Sequence, residues 1–157
     1  MDNNLQIKFS WGTFCRRVII DKDTGEVSMI DIIPALNVEQ ISLIKLENDN
    51  QKIISSLGKF YVAALFEKVG LPDAEIKEDL NIELLQTGLP STSIQTDILI
   101  KSTQSSAFLN LDFGDLPLTA SLDISEYNFE VIYRVKEQEL GRVVMPIRVK
   151  FKLLDNE

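Results

Sequence analysis

Histidine is missing from this chain, and cysteine occurs once, at Cys15. Without histidine there is no Ser-His-Asp or Cys-His nucleophilic machinery and no His-containing zinc site. One thiol cannot close an intramolecular disulfide or build a cysteine-only metal site. No apolar run approaches the roughly 18 residues needed to span a bilayer. Met1-Asp2-Asn3-Asn4-Leu5-Gln6 has neither the basic region nor the apolar core of a secretory signal. These absences favour a reducing, cytoplasmic setting. Also missing are repeats, low-complexity tracts and linkers rich in Gly, Pro or Ser. The expectation is one domain over residues 1–157.

Hydrophobic residues make up 45% of the chain, enough for a full core, and the net charge is −8. The charge is uneven. Residues 61–130 hold three lysines against twelve acids, while residues 131–157 hold six bases against four acids. An acidic chain without a basic run is poorly suited to a phosphate backbone or to an anionic membrane surface. No nucleic acid and no membrane are expected as partners.

Short extended runs alternate with turn signals along the whole length, the pattern of a β-sandwich or barrel. Leu5–Ser10 alternates and reads as a short first strand. Phe14–Ile20 and Val27–Ile33 form an opening hairpin that Pro34 ends. Glu39–Glu47 fits a strand or one face of a short helix and is read as strand. Asn48-Asp49-Asn50 is a turn, and Ile53–Leu57 reads as a helical turn closed by Gly58. Phe60–Val69 is apolar on both faces, which places it centrally. Leu80–Gln86, Ser93–Ser102 and Phe108–Phe113 follow, with Gly114-Asp115-Leu116-Pro117 as a turn. Tyr127–Lys136 has the clearest period of two, and Leu140–Leu153 returns from it after a turn at Glu137-Gln138-Glu139. Pro146 within that return implies an edge or a bulge.

Candidate sites are few. Asp21-Lys22-Asp23-Thr24-Gly25-Glu26 has the alternating acids of a calcium loop, since a hard cation wants six to eight oxygens. In an EF-hand loop, however, glycine occupies position six and a bidentate Glu position twelve. Here Gly25 comes one place early, and the twelfth position is Ile32. A hairpin turn capped by Asp21, with Gly25 at positive φ, accounts for the same residues. Asp21 and Asp23 remain the metal candidates, joined by Asp73 or Asp115 if acids from several loops converge as in C2 domains. Cys15 is followed by Arg16 and Arg17, which lowers a thiol's pKa when a guanidinium is close. It has no base beside it and reads as a structural cysteine.

Glu75, Glu78, Asp79 and Glu83 supply carboxylates, but nothing fixes the defined pair that glycoside hydrolysis needs. Trp11 and the set Tyr127, Phe129 and Tyr133 suit a sugar platform or, more simply, a core. Arg134, Lys136, Arg142, Arg148, Lys150 and Lys152 make the C-terminal hairpin locally basic. Of these, Arg134, Lys136, Arg148 and Lys150 are the candidate interaction residues. Lysines on an edge strand also discourage sheet-to-sheet pairing.

The opening hairpin, from Phe14-Cys15-Arg16-Arg17-Val18-Ile19-Ile20 through Gly25-Glu26 to Val27-Ser28-Met29-Ile30-Asp31-Ile32, and the closing Tyr127-Asn128-Phe129-Glu130-Val131 strand with Leu140-Gly141 resemble a group of small uncharacterised bacterial β-sandwich proteins. There a hydrophobic-Cys strand, a Gly-containing turn and a second strand open the domain, and a Tyr-x-Phe-x-Val hairpin closes it. The resemblance covers roughly a third of the chain. It implies a fold and no activity.

The expected fold is therefore all-β. It is an antiparallel β-sandwich, immunoglobulin-like or C2-like, of about nine strands with at most one short helix. The expected function is a non-catalytic cytoplasmic protein-interaction module, a bacterial accessory or phage-associated protein. It needs no cofactor and has an unidentified protein partner or a second copy of itself. The alternatives are a calcium-dependent or carbohydrate-binding sandwich, and a carboxylate-based enzyme.

Overall fold

Alternating β-branched and aromatic residues become strands because one face of each can be buried against a second sheet. The computed structural model of the chain describes residues 5–42, 52–70, 73–121 and 124–152. Among the described residues there are nine strands and no helix. They are β1 (Ile7–Ile20), β2 (Val27–Ile32), β3 (Leu36–Ser42), β4 (Lys52–Lys68), β5 (Ile76–Gln86), β6 (Thr92–Ile100), β7 (Ser106–Ser121), β8 (Glu126–Val135) and β9 (Gln138–Lys152). One sheet runs β2-β1-β4-β7 and the other β3-β9-β8-β5-β6, giving an all-β sandwich.

The inner faces follow the period of two. Phe60, Val62, Ala64 and Phe66 of β4 meet Tyr127, Phe129, Val131, Tyr133 and Val135 of β8, and all are buried. Phe66 is fully buried, and such a ring contributes about 1.5–3 kcal/mol. Phe9 stacks on Tyr133 at 5.7 Å and meets Phe66 edge-on at 5.8 Å. Phe129 takes Phe14 and Phe113 edge-on. Two glycines let the sheets close here. Both Gly12 and Gly141 have their Cβ space filled by Phe9, and Gly12 by Val143 as well.

Several expectations are corrected. β1 is one strand, not two, with a bulge between Phe9 and Trp11 that keeps both halves in the ladder with β4. The helical turn over Ile53–Leu57 is strand. Its backbone pairs with β7 from Ile53↔Ala120 to Ser56↔Pro117. Gly58, at φ 82°, lies in a bulge of β4 and ends no helix. Gly114-Asp115-Leu116-Pro117 is strand within β7 and not a turn, with a bulge just before it at Phe113, between Asp112 and Gly114. In both places glycine at positive φ absorbs an extra residue without breaking the ladder. Ile94 is exposed, unlike Ile98 and Ile100 on the same face.

The sandwich is also not wholly antiparallel. β3 runs parallel to β9, from Leu36↔Ile147 to Ser42↔Lys152. This makes β9 an inner strand, yet Pro146 still sits where no donor is needed. Its partner Asn128 turns its own backbone N–H and C=O towards Thr87 on the β5 side. On its other side β3 begins only opposite Ile147. The closing turn falls at Lys136 and Glu137, at φ 53° and 68°. It is a two-residue turn of the hairpin type, made without Asn or Gly. The expected turn at residues 48–50 and the part of Glu39–Glu47 beyond Ser42 lie outside the described residues.

Candidate functional site

The outer face of the four-stranded sheet carries several exposed apolar side chains. Register places Trp11, Leu65 and Phe108 in one row across β1, β4 and β7. Two residues along, Thr13, Ala63 and Asn110 form the next row. Ile32, Cys15, Tyr61 and Asp112 form the third, and Ile30 and Arg17 lie beyond. Trp11 and Phe108 meet edge-on at 5.5 Å. Phe108 is 38% exposed, Ile30 39% and Ile32 55%. Arg17, Lys59, Asp112 and Asp115 are exposed around this ground, and Lys59 reaches over the Tyr61 ring at 5.9 Å.

The face was half visible in the sequence. The alternate apolar positions Tyr61, Ala63 and Leu65 signalled that β4 is central, which it is. They also belong to an apolar outer surface, to which β1 and β7 add Trp11 and Phe108.

Cys15 lies on this side of the sheet and is buried between the cross-strand neighbours Ile32 and Tyr61. Burial pushes its thiol pKa up, against a weaker lowering by a hydrogen bond with the Arg17 backbone. Arg16 points the other way. Its guanidinium lies 4.0 Å from the centroid of the Phe60 ring and donates to the carbonyls of Leu57 and Lys59 at 2.8 and 3.1 Å. It thereby clamps the bulge of β4 at Gly58.

The tip of the opening hairpin is a capped turn. Asp21 Oδ1 accepts from the Asp23 and Thr24 amides at 2.8 and 2.9 Å, and Gly25 N–H donates to the Asp21 carbonyl at 2.8 Å. Gly25 has φ 72°, which a turn of this kind asks of glycine. The amide of Thr24, then that of Asp23, holds the Asp21 carboxyl below the usual range. Among the described residues, no three His, Cys, Asp or Glu side chains gather as metal ligands, so Asp73 and Asp115 do not join Asp21 and Asp23.

The basic residues of the closing hairpin meet acids. Arg134 lies 3.4 Å from Glu83 and 3.8 Å from Glu139, and Arg142 lies 2.7 Å from Glu139 and 3.4 Å from Glu130. This lattice covers Ile132, which is buried on the outer side of the five-stranded sheet. Arg148 stands 3.5 Å from Glu126, with both side chains exposed. Lys136 occupies the turn, and Lys150 lies on β9 opposite Glu39 of β3. The four candidate interaction residues thus divide between an ion-pair lattice, a turn and the β3 side of β9.

Tyr127, Phe129 and Tyr133 are core, so they present no sugar platform. Desolvation drives the Tyr133 phenol pKa far up, and its hydroxyl has no hydrogen-bond partner among the described residues. Glu78 and Asp79 alternate to opposite faces of β5, and Glu83 pairs with Arg134. An open groove of about 740 Å³ beside β5 and β6 includes Glu78, Asp79, Asp97 and Glu137. Lys77 and Lys136 share it, and Lys77 lies 3.1 Å from Asp97.

No family model and no curated protein matches the chain. Among solved structures, the N-terminal domain of PorA aligns over 89% of this chain and 98% of its own, at 10% identity and a TM-score of 0.24. At that TM-score the likeness carries no argument.

Proposed function

We propose that the chain is a non-catalytic, cytoplasmic protein-interaction module, a bacterial accessory or phage-associated protein on an immunoglobulin-like or C2-like sandwich. The outer face of the four-stranded sheet carries this reading. Isolated apolar residues on a surface are ordinary, but apolar clusters with polar neighbours mark a docking ground. Trp11 and Phe108 form one apolar cluster at the β7 side of this face, Ile30 and Ile32 a second on the β2 edge, with Thr13, Ala63, Tyr61 and Asn110 between them. Arg17, Lys59, Asp112 and Asp115 supply a rim of both signs. A rim of mixed sign suits a folded protein with its own polar border better than a polyanion. The lone buried thiol agrees with a reducing compartment.

The test is capture from the host lysate with the full chain as bait, beside Ile32→Lys and Phe108→Asp variants. Ile32 is 55% exposed, while Phe108 is 38% exposed and packs on Trp11, so melting curves of both variants separate loss of binding from loss of fold. The expected result is a partner held by the parent, cross-linked to this sheet, and lost from the variants. A partner held equally by all three chains, or none held by the parent, overturns the reading.

A further inference from the structure

Four strands end the two sheets, and three of them carry the devices that keep an edge from pairing with another chain. β2 is distorted at Asp31, which has φ 53°. β3 slips register between Glu39 and Ile41. β7 has two irregularities in its ladder and holds Pro117. β6 has none of these. Its nine residues pair with β5 without a slip, from Thr92↔Leu84 to Ile100↔Ile76. It contains no proline and no residue at positive φ. Its single charge, Asp97, is already matched by Lys77 at 3.1 Å. Ile94 and Leu99 on it are 41% and 43% exposed.

We propose that β6 is a dimerisation edge that pairs antiparallel with β6 of a second copy, about a two-fold axis through Thr96. The strand is self-complementary in that register. Thr96 is the midpoint of Thr92–Ile100, so all nine residues find partners. The exposed Ile94 comes to lie beside the other copy's Ile98, apolar against apolar. Asp97 falls opposite Gln95 of the other copy, not opposite its own carboxylate. Moving the axis one residue on would set Asp97 against Asp97, which like-charge repulsion disfavours. Moving it one residue back would set Ile94 against Thr96. Among the described residues β6 has no ladder partner on this side, and an antiparallel two-fold satisfies the backbone N–H and C=O groups of both strands reciprocally. The two five-stranded sheets then join into one. The outer face proposed for a protein partner belongs to the other sheet, so the two contacts stand or fall separately.

Sedimentation velocity on the full chain over a wide concentration range is the test, with Gln95→Asp and Gln95→Lys as variants. Gln95 is exposed, so neither substitution threatens the fold, and melting curves verify this. The parent is expected to show a concentration-dependent dimer. Gln95→Asp faces Asp97 twice across the axis and should weaken the dimer by roughly tenfold, while Gln95→Lys faces it twice with opposite charge and should tighten it by a similar factor. A parent that stays monomeric overturns the proposal, even if an extended foreign peptide binds β6. A dimer indifferent to both substitutions, or one that both shift in the same direction, overturns it as well.

Discussion

Phe9 occupies the space that a side chain on Gly141 would need. A Cβ built on that glycine overlaps Cγ and Cδ1 of the ring, on the opposite sheet. Phe9 cannot yield easily, because it is held between Phe66 and Tyr133. Gly141→Ala is therefore expected to destabilise the fold by about 1–3 kcal/mol, the usual cost of overpacking. Urea unfolding checks this: the midpoint should fall at an unchanged slope.

Tyr133 presents the converse case. Its ring is core, but its hydroxyl is buried without a partner. Leaving a polar group unpaired costs roughly 1–3 kcal/mol, so Tyr133→Phe is expected to hold or raise stability. A loss above about 1 kcal/mol in the same urea assay would show that the hydroxyl is satisfied in solution.

The same burial sets the alkaline limit. Tyr133 and Cys15 both have their pKa values raised in the folded chain, chiefly by desolvation. The unfolded chain then binds fewer protons than the folded one above the ordinary values, and stability falls as pH rises. The decline should start near pH 8.5 from Cys15 and steepen above about pH 10 from Tyr133. Tyr133→Phe should flatten the steeper part in thermal melts taken from pH 7 to 11.

Arg16 joins β1 to the bulge of β4 through two carbonyls and the Phe60 ring. Arg16→Ala should cost about 2 kcal/mol by denaturant unfolding, combining charge-assisted hydrogen bonds with the stacked cation. Arg16→Lys should recover only part, because one ammonium replaces a planar guanidinium.

Millimolar calcium should leave the melting temperature unchanged. Asp21 Oδ1 is already taken up by the amides of its own turn. A rise with calcium that a chelator reverses would show a cation site at the hairpin tip.

What could be read from the sequence was alternation. The alternate positions Tyr127, Phe129, Val131, Tyr133 and Val135 marked a strand and its inner face, and all five are buried in the core. The bulges were invisible for a physical reason. Gly58 and Gly114 look like punctuation, and glycine at positive φ serves a turn and a bulged strand equally well. The helical reading of Ile53–Leu57 lost to pairing with β7, a partner more than 60 residues away. The parallel β3–β9 ladder leaves no local mark, since parallel and antiparallel partners ask for similar side chains. At the candidate site, Trp11 and Phe108 are separated by almost a hundred residues, and only register brings them together.

That parallel ladder bears on how the protein is made. Among the described residues β3 pairs with β9 alone, and Leu36 meets Ile147 more than a hundred residues further along the chain. At the usual pace of translation, β3 waits for roughly 5 to 20 s after leaving the ribosome before its partner exists. The β2-β1-β4-β7 sheet needs nothing beyond Ser121 and can assemble first. The nascent chain can thus carry one completed sheet while β3 waits, and β9 closes the second sheet when it emerges.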